Sequence, residues 1–426
     1  MLLCSRVALS SIEFVAMVSG CVPVLYIRRI KGWLLLQITW FSLYCGLMLS
    51  ISAFSIDILL PAFPGLSDST GATSQQIQLT IPVYLFAMGL AHPFFGALSD
   101  RAGRKPGIYL GLAIFISGTV VCLLSTSLLQ LLVGRFLQGF GAAAAAVICR
   151  AMVRDLYSGS ALAQNMAIVS MFFAIGPVLA PLIGYLIFES VGWRGIFVFL
   201  ILFVLAMGIA TYKQPETLAV EFRRKAGWRE IIENFALIFK HPQSRYFIWL
   251  GIASTCLIVS FLEHAQVLYA QLGADSKRFA YLFAFSSAGI ILGQVFNYKL
   301  IHRFGAIGAA RTASVVVSVT AGLIMCFVYS GMLTDRLLTL LMLAFHTCFL
   351  VIHANIVSLM LDPHRERAGA AAAVFGFTGY MAGSLLAALV TVIAQEELGR
   401  WSVCFFVTSL VIAIGLFRWR QPLISS

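Results

Sequence analysis

Of the 17 acidic residues in this chain nearly all fall in polar segments or at the ends of apolar runs, and the two inside the long membrane-length runs are Asp57 and Glu263. An ionisable side chain at the centre of an apolar membrane segment costs ~2.5–3.5 kcal/mol to place there, so its presence marks a position where charge is used. A carboxyl in that setting can take up and release a proton or hold a cation. Asp57 stands four residues before Pro61 in SIDILLPAFP, which puts it roughly 6 Å from the outer end of its run at 1.5 Å per residue. Arg135 lies seven residues in from Leu128, roughly 10 Å from the same face, so the two charges are expected to share a depth. Proton, guanidinium and a cationic ligand would then compete for Asp57. The plainer alternative is that Asp57 only caps a helix broken near Pro61.

Gln138 follows Arg135 by one helical turn and is expected to point the same way, while Gly139 and Gly141 let a neighbouring helix approach. Glu263 and His264 stand together in FLEHAQVLYA, as a second acid in the pocket, as an outer gate, or as a pair at the water interface. His346 and His353 are seven residues apart beside Asn355 and can be read as protonatable, although hydrogen-bonded core histidines are commoner. His92, preceding Pro93, reads as structural.

The elements that hold these residues follow from composition. Hydrophobic residues make up 60% of 426, whereas a soluble domain carries ~45–50%. Dividing about 256 apolar residues by the ~20 that one span needs leaves room for about twelve spans and for no sizeable soluble domain. Spans are expected near 34–60, 76–98, 107–126, 128–152, 161–188 and 195–212, then 243–270, 278–300, 308–330, 334–360, 368–394 and 400–418. The polar stretch 214–242 separates a six-helix half over 32–213 from another over 243–426 and reads as a cytoplasmic linker. GWRGIFVF (Gly192 to Phe199) is echoed by GRWSVCFF (Gly399 to Phe406), which supports repeated halves.

Lys and Arg concentrate on one side of these spans, leaving Arg194, Lys277, Arg278, Arg336 and Arg400 on the other. Cytoplasmic loops retain basic residues, so both ends of the bundle are expected inside. Residues 1–31 are expected to be a loose or interfacial extension rather than a thirteenth span. The net charge of +12 is spread over short loops and forms no basic stripe, which argues against nucleic acid. The nine cysteines form no CxxC or CxxH pair, so no disulfide framework or zinc site is readable. A channel would want a pore-lining polar repeat, and an enzyme a nucleophile with its base or a metal cluster; the sequence displays none of these.

GALSDRAGRKP (Gly96 to Pro106) joins spans two and three. Its glycines permit a tight turn, Asp100 can cap a helix or pair with arginine, and Arg101, Arg104 and Lys105 hold the loop inside. This string, with Gly96, Asp100, Gly103 and the three basic residues, resembles the loop signature of the major facilitator superfamily, and RFLQGFGAAAAA (Arg135 to Ala146) resembles its span-four motif. GPVLAPLIGY, with Gly176, Pro177, Pro181 and Gly184, resembles the span-five motif of the superfamily's antiporters, which is associated with export; Tyr185 stands where the final glycine is usual. SIDILLPAFP and AMVRDLY (Ala151 to Tyr157) resemble the bicyclomycin-resistance group of drug and proton antiporters, over residues 34 to about 420.

The resemblance implies an all-α polytopic fold of twelve helices in two pseudo-symmetric halves around a central cavity. It implies Asp57 as the proton and cation acid, Arg135 as its coupling partner, and Asp100 with Arg154 in a cytoplasmic latch between the halves. The function it implies is proton-coupled efflux of small amphipathic compounds or drugs across a bacterial inner membrane. No cofactor is then needed beyond the proton gradient, and the partners are substrate, protons and lipid for a monomer that is not an enzyme. A facilitator of one metabolite (a sugar, amino acid or siderophore), possibly importing it, is the alternative. Leu49 replaces a second acid that some relatives carry, span seven is usually uncharged where Glu263 and His264 stand, and LIHRFGAIG (Leu300 to Gly308), the second-half echo of the loop, has no acid.

Overall fold

The computed structural model describes residues 40–223 and 228–420. The extension over 1–31, the first residues of span one, and Arg224 and Lys225 of the linker therefore lie outside the described residues. The described chain is helical throughout, with no strand. Lipid offers the backbone no hydrogen-bonding partner, so apolar runs of this length satisfy their own amides as helices.

Span one consists of α1 (Trp40–Asp57), a 3-10 turn (Leu60–Ala62) and α2 (Phe63–Thr70). Span two consists of α3 (Ser74–Gln78) and α4 (Thr80–Ala102); the spans that follow are α5 (Arg104–Leu123), α6 (Leu128–Leu156), α7 (Gly159–Val191) and α8 (Trp193–Lys213). The linker contains a helix the sequence reading did not anticipate, α9 (Trp228–Lys240). The second half runs through α10 (Pro242–Gln271), α11 (Ser276–Tyr329), α12 (Asp335–Leu361), α13 (Ala368–Ala394) and α14 (Leu398–Arg418). Among the described residues, eleven helical segments are long and apolar enough to cross a membrane. The 54-residue α11 turns at Gly305, where φ is +68°, and its two arms are the expected eighth and ninth spans, giving twelve.

Gly305 matches Gly103, which separates α4 from α5 at φ +106°. A side chain is strained in that left-handed region, so both loops need glycine at the same place in their halves. The repeat is visible at the opposite end too, where Trp193 of α8 is nearly buried and Trp401 of α14 completely so. The halves meet along α4 against α13 and along α7 against α11. Gly89 of α4 makes the first of these contacts close: a Cβ there would lie 2.8 Å from the Met381 amide nitrogen.

Span one reaches farther than its sequence suggested. Its regular helix ends at Asp57, but the chain continues helically to Thr70, so Asp57 lies well inside the segment rather than about a turn from its end. The break has a covalent cause, since Pro61 has no N–H to donate to the Asp57 carbonyl and Pro64 has none for Leu60. Gly184 of α7 fits against that break: a Cβ built there would lie 2.0 Å from the Ile58 carbonyl oxygen. Gly184→Ala must push α7 away from span one, and we expect a stability loss of about 1–3 kcal/mol, as overpacking typically causes. Thermal unfolding in detergent checks this against Gly96→Ala, expected to be neutral because the nearest atom to a Cβ at Gly96 is 3.9 Å away.

Candidate functional site

Arg135 is fully buried in α6 and organises the first half. Its Nη1 donates to the Ser55 carbonyl at 3.0 Å, to Ser55 Oγ at 3.1 Å and to Gln138 Oε1 at 2.9 Å, and its Nε donates to the Thr80 carbonyl at 3.4 Å. The guanidinium lies 4.5 Å from the Tyr84 ring centroid. Gln138 passes the network to α5 by donating to Thr119 Oγ1 at 2.9 Å, so its expected orientation beside Arg135 is the observed one. Gly139 and Gly141 make the convergence possible, because a Cβ at either would meet Tyr84 O at 2.0 Å or Gly111 O at 2.5 Å. Arg135 Nη2 has no hydrogen-bond partner among the described residues.

The bonds to Ser55 put Arg135 at the depth of Asp57, yet Asp57 is not among its partners. Residues two apart on a helix point in nearly opposite directions, so holding Ser55 turns Asp57 away. The carboxyl of Asp57 is 3% exposed and has no hydrogen bond or ion pair among the described residues. It sits where α1 ends and α7 packs, with Gly176 of α7 against Ala53 and Gly184 against Ile58. Pro177 and Pro181 lie inside α7 between those two contacts.

At the basic end, the signature loop forms a network confined to the first half and linker. Arg104 Nη1 pairs with Asp100 at 2.5 Å, while Arg104 Nε and Nη2 hold Asp155 of α6 at 2.8 and 3.1 Å. Lys105 Nζ donates to the carbonyls of Tyr212 and Gln214 at 3.1 and 2.8 Å. Arg101 is exposed. No ion pair joins Asp100 to Arg154 among the described residues; Arg154 instead reaches the second half, within 3.5 Å of where a Cβ on Gly369 would lie.

Sequence reasoning missed Glu216, the first acid of the linker. Its carboxylate accepts the amides of Arg104 and Lys105 at 2.9 and 3.0 Å, capping α5 from 112 residues away. A carboxylate at a helix N-terminus satisfies amides that have no intrahelical partner. Nothing local in the sequence signals a cap so distant in the chain. From the far end of the linker, Asn234 of α9 accepts from Arg367 Nη1 at 3.3 Å.

In the second half, Glu263 is fully buried and accepts a hydrogen bond from Thr391 Oγ1, while its Oε1 has no partner. This excludes a water-interface position in this conformation. His264 contacts the Ser260 carbonyl through Nδ1 at 2.9 Å and lies 6.2 Å from the Trp401 ring, with Nε2 unpaired. His346 contacts the Ser286 carbonyl at 3.1 Å among Phe261, Phe283 and Phe345. His353 contacts Ser254 Oγ at 3.2 Å, Asn355 donates to Asn297 at 2.7 Å, and His92 packs 5.3 Å from Tyr380 of the other half. Glu263 and Asp57 are therefore held on different halves, with neither paired to a cation.

The profile of the major facilitator superfamily matches residues 45–388. A "Bicyclomycin resistance protein homolog" of Haemophilus influenzae is 26% identical over 357 residues, covering 82% of this chain and 88% of the relative. "Multidrug resistance protein D" of Escherichia coli is 26% identical over 374 residues, covering 86% and 92%. "Multidrug resistance protein MdtL" of Citrobacter koseri is 28% identical over 377 residues, with the same coverage of 86% and 92%. Among solved structures, a D-xylose–proton symporter superposes with a TM-score of 0.73 at 14% identity, covering 89% of this chain and 97% of its own. The human organic anion transporter MFSD10 superposes with a TM-score of 0.67 at 20% identity, covering 88% and 97%. With its twelve spans, its signature loop and a profile match over most of its length, the chain is a multi-pass membrane transporter of the major facilitator superfamily.

Proposed function

We propose that this transporter is a proton-coupled exporter of small amphipathic compounds, acting by alternating access across the inner membrane of a bacterium with its basic end and both termini in the cytoplasm. The observation that carries the reading is Asp57: a buried carboxyl without a partner among the described residues, at the end of a broken helix, against the proline-containing α7. An acid already paired with a guanidinium would have to give up that pair before binding anything else. Asp57 is free to hold either a proton or an organic cation. The names of the relatives support efflux of drugs as the cargo class.

In this reading the Asp57 carboxylate binds a cationic substrate when the protein opens to the cytoplasm. After the transition a proton from outside replaces the substrate on the same carboxylate. The protonated form returns and releases that proton inside, which restores the carboxylate. Arg135 is a positioning residue that ties Ser55, and with it the end of α1, to α4 and α6.

Two outcomes follow. Asp57→Asn is expected to abolish proton release from energised inverted vesicles on addition of tetraphenylphosphonium or ethidium; release equal to that of the unsubstituted protein would remove Asp57 from the cycle. Arg135→Lys keeps the charge but loses the planar fork that reaches several acceptors at once. Losing one hydrogen bond to a charged group costs ~1.5–3 kcal/mol, so initial transport rates are expected to fall roughly ten- to a hundredfold. Dye-efflux rates at matched expression check this.

A further inference from the structure

The cycle through Asp57 leaves Glu263 unused, although its carboxyl is the more deeply buried of the two. It lies eight residues before the end of α10 at Gln271, about 12 Å from that end by helical rise. The Thr391 hydroxyl of α13 stands between two acceptors, Glu263 Oε2 and, at 3.3 Å, the Ala387 carbonyl. One hydroxyl carries one proton and can donate to only one of them at a time. Thr391 therefore does not need Glu263 to be satisfied, because its own helix offers a carbonyl. A purely structural partner for Thr391 would be served equally well by glutamine.

The same residue also joins the halves: the Thr391 carbonyl accepts from Gln75 Nε2 of α3 at 3.2 Å. The start of α3 is fixed by a reciprocal pair, Thr73 N–H to Gln76 Oε1 at 2.9 Å and Gln76 N–H to Thr73 Oγ1 at 3.3 Å. Gln75 thus reaches across from a held segment.

We infer that Glu263 is a second proton-binding site, seated in the second half and linked through Thr391 to the contact between the halves at the end of the bundle opposite the basic loops. As carboxylate, Glu263 draws the Thr391 hydroxyl to itself. With a proton added to Oε2, the acid donates to Thr391 Oγ1, and the hydroxyl turns to the Ala387 carbonyl. One proton enters and one leaves per cycle, with no other bond broken. Separation of Gln75 from Thr391 opens the way for water to Glu263 from that side. Cys256 of α10 lies close enough to Glu263 to feel its charge. The other titratable groups toward this end of α10 and of the helices packed on it are His264 and Tyr269 on α10 itself, His346 on α12, Cys404 on α14, and Lys277, Arg278 and Tyr281 at the start of α11, while α13 carries Tyr380 eleven residues from Thr391 and α3 carries none. No lysine, arginine or aspartate among the described residues acts on the Glu263 carboxyl.

The inference extends the antiport reading, since it adds a second proton to that cycle, but its test does not depend on Asp57 or on any substrate. The purified full chain in detergent is titrated across pH, and the protonated-carboxyl stretch is followed by infrared difference spectroscopy. The expected result is a titrating band that disappears in Glu263→Gln, persists in Asp57→Asn, and shifts in frequency in Thr391→Val, where the hydroxyl partner is gone. Gln75→Ala is expected to move its midpoint without removing it. A Glu263 band unchanged over the whole pH range in which the protein is folded would make the residue a permanently protonated structural acid and overturn the proposal, as would a titrating signal unaffected by both Glu263→Gln and Thr391→Val. A failure of the Asp57 reading would instead leave the Glu263 band as expected while Asp57→Asn still transports.

Discussion

A guanidinium enclosed between membrane helices has to be satisfied by the protein alone, and Arg135 imposes that demand on the whole first half. Its acceptors come from α1, the start of α4 and its own α6, and Gln138 carries the chain of bonds onward to α5. No described carboxylate neutralises it. Backbone carbonyls, a hydroxyl, an amide oxygen and the face of Tyr84 share the charge instead. Because these partners sit on separate helices, those helices must meet at one depth. The glycines of α5 and α6 answer that requirement, since a single methyl at Gly111, Gly118, Gly139 or Gly141 would overlap a neighbouring helix.

The same arrangement frees Asp57. Arg135 holds the serine two positions earlier, which turns the aspartate toward a different neighbour, and two prolines beyond it prevent the helix from closing over its end. The proposed proton exchange needs an acid whose partner changes during the cycle, and a permanent ion pair would work against it. At the basic end the opposite solution is used. Arg104 is bound to two aspartates, and Glu216 fixes the next helix start, so that the loop, α6 and the start of the linker form one bonded piece of the first half. Arg367 meeting Asn234 and Arg154 approaching Gly369 connect this piece to the second half.

Much of this was legible in the residues. Apolar runs located the spans to within a few residues, apart from span one, and the expected break between the eighth and ninth spans holds the turn at Gly305. Gln138 was expected beside Arg135 because a one-turn spacing on a helix dictates it. The pairing of Asp57 with Arg135 was inferred from a shared depth and from the family resemblance, and depth does not say which way a side chain points. The continuation of span one to Thr70 was hidden because FPGLSDST is polar and proline-bearing, although it is helical in the fold. Glu216 was hidden for a different reason: a cap supplied from over a hundred residues away leaves no local pattern. The burial of Glu263 depends on Thr391 and α13 covering it, which no single-helix reading supplies.

In the proposed cycle a proton gradient drives substrate movement in the opposite direction. Purified protein reconstituted in proteoliposomes, with a pH step imposed and no ATP present, addresses it directly, using tetraphenylphosphonium as the probe. The account predicts uphill accumulation of the probe in the more acidic compartment, collapsing when a protonophore dissipates the step. Movement of the probe in the same direction as protons, or equilibration indifferent to the gradient, would contradict it.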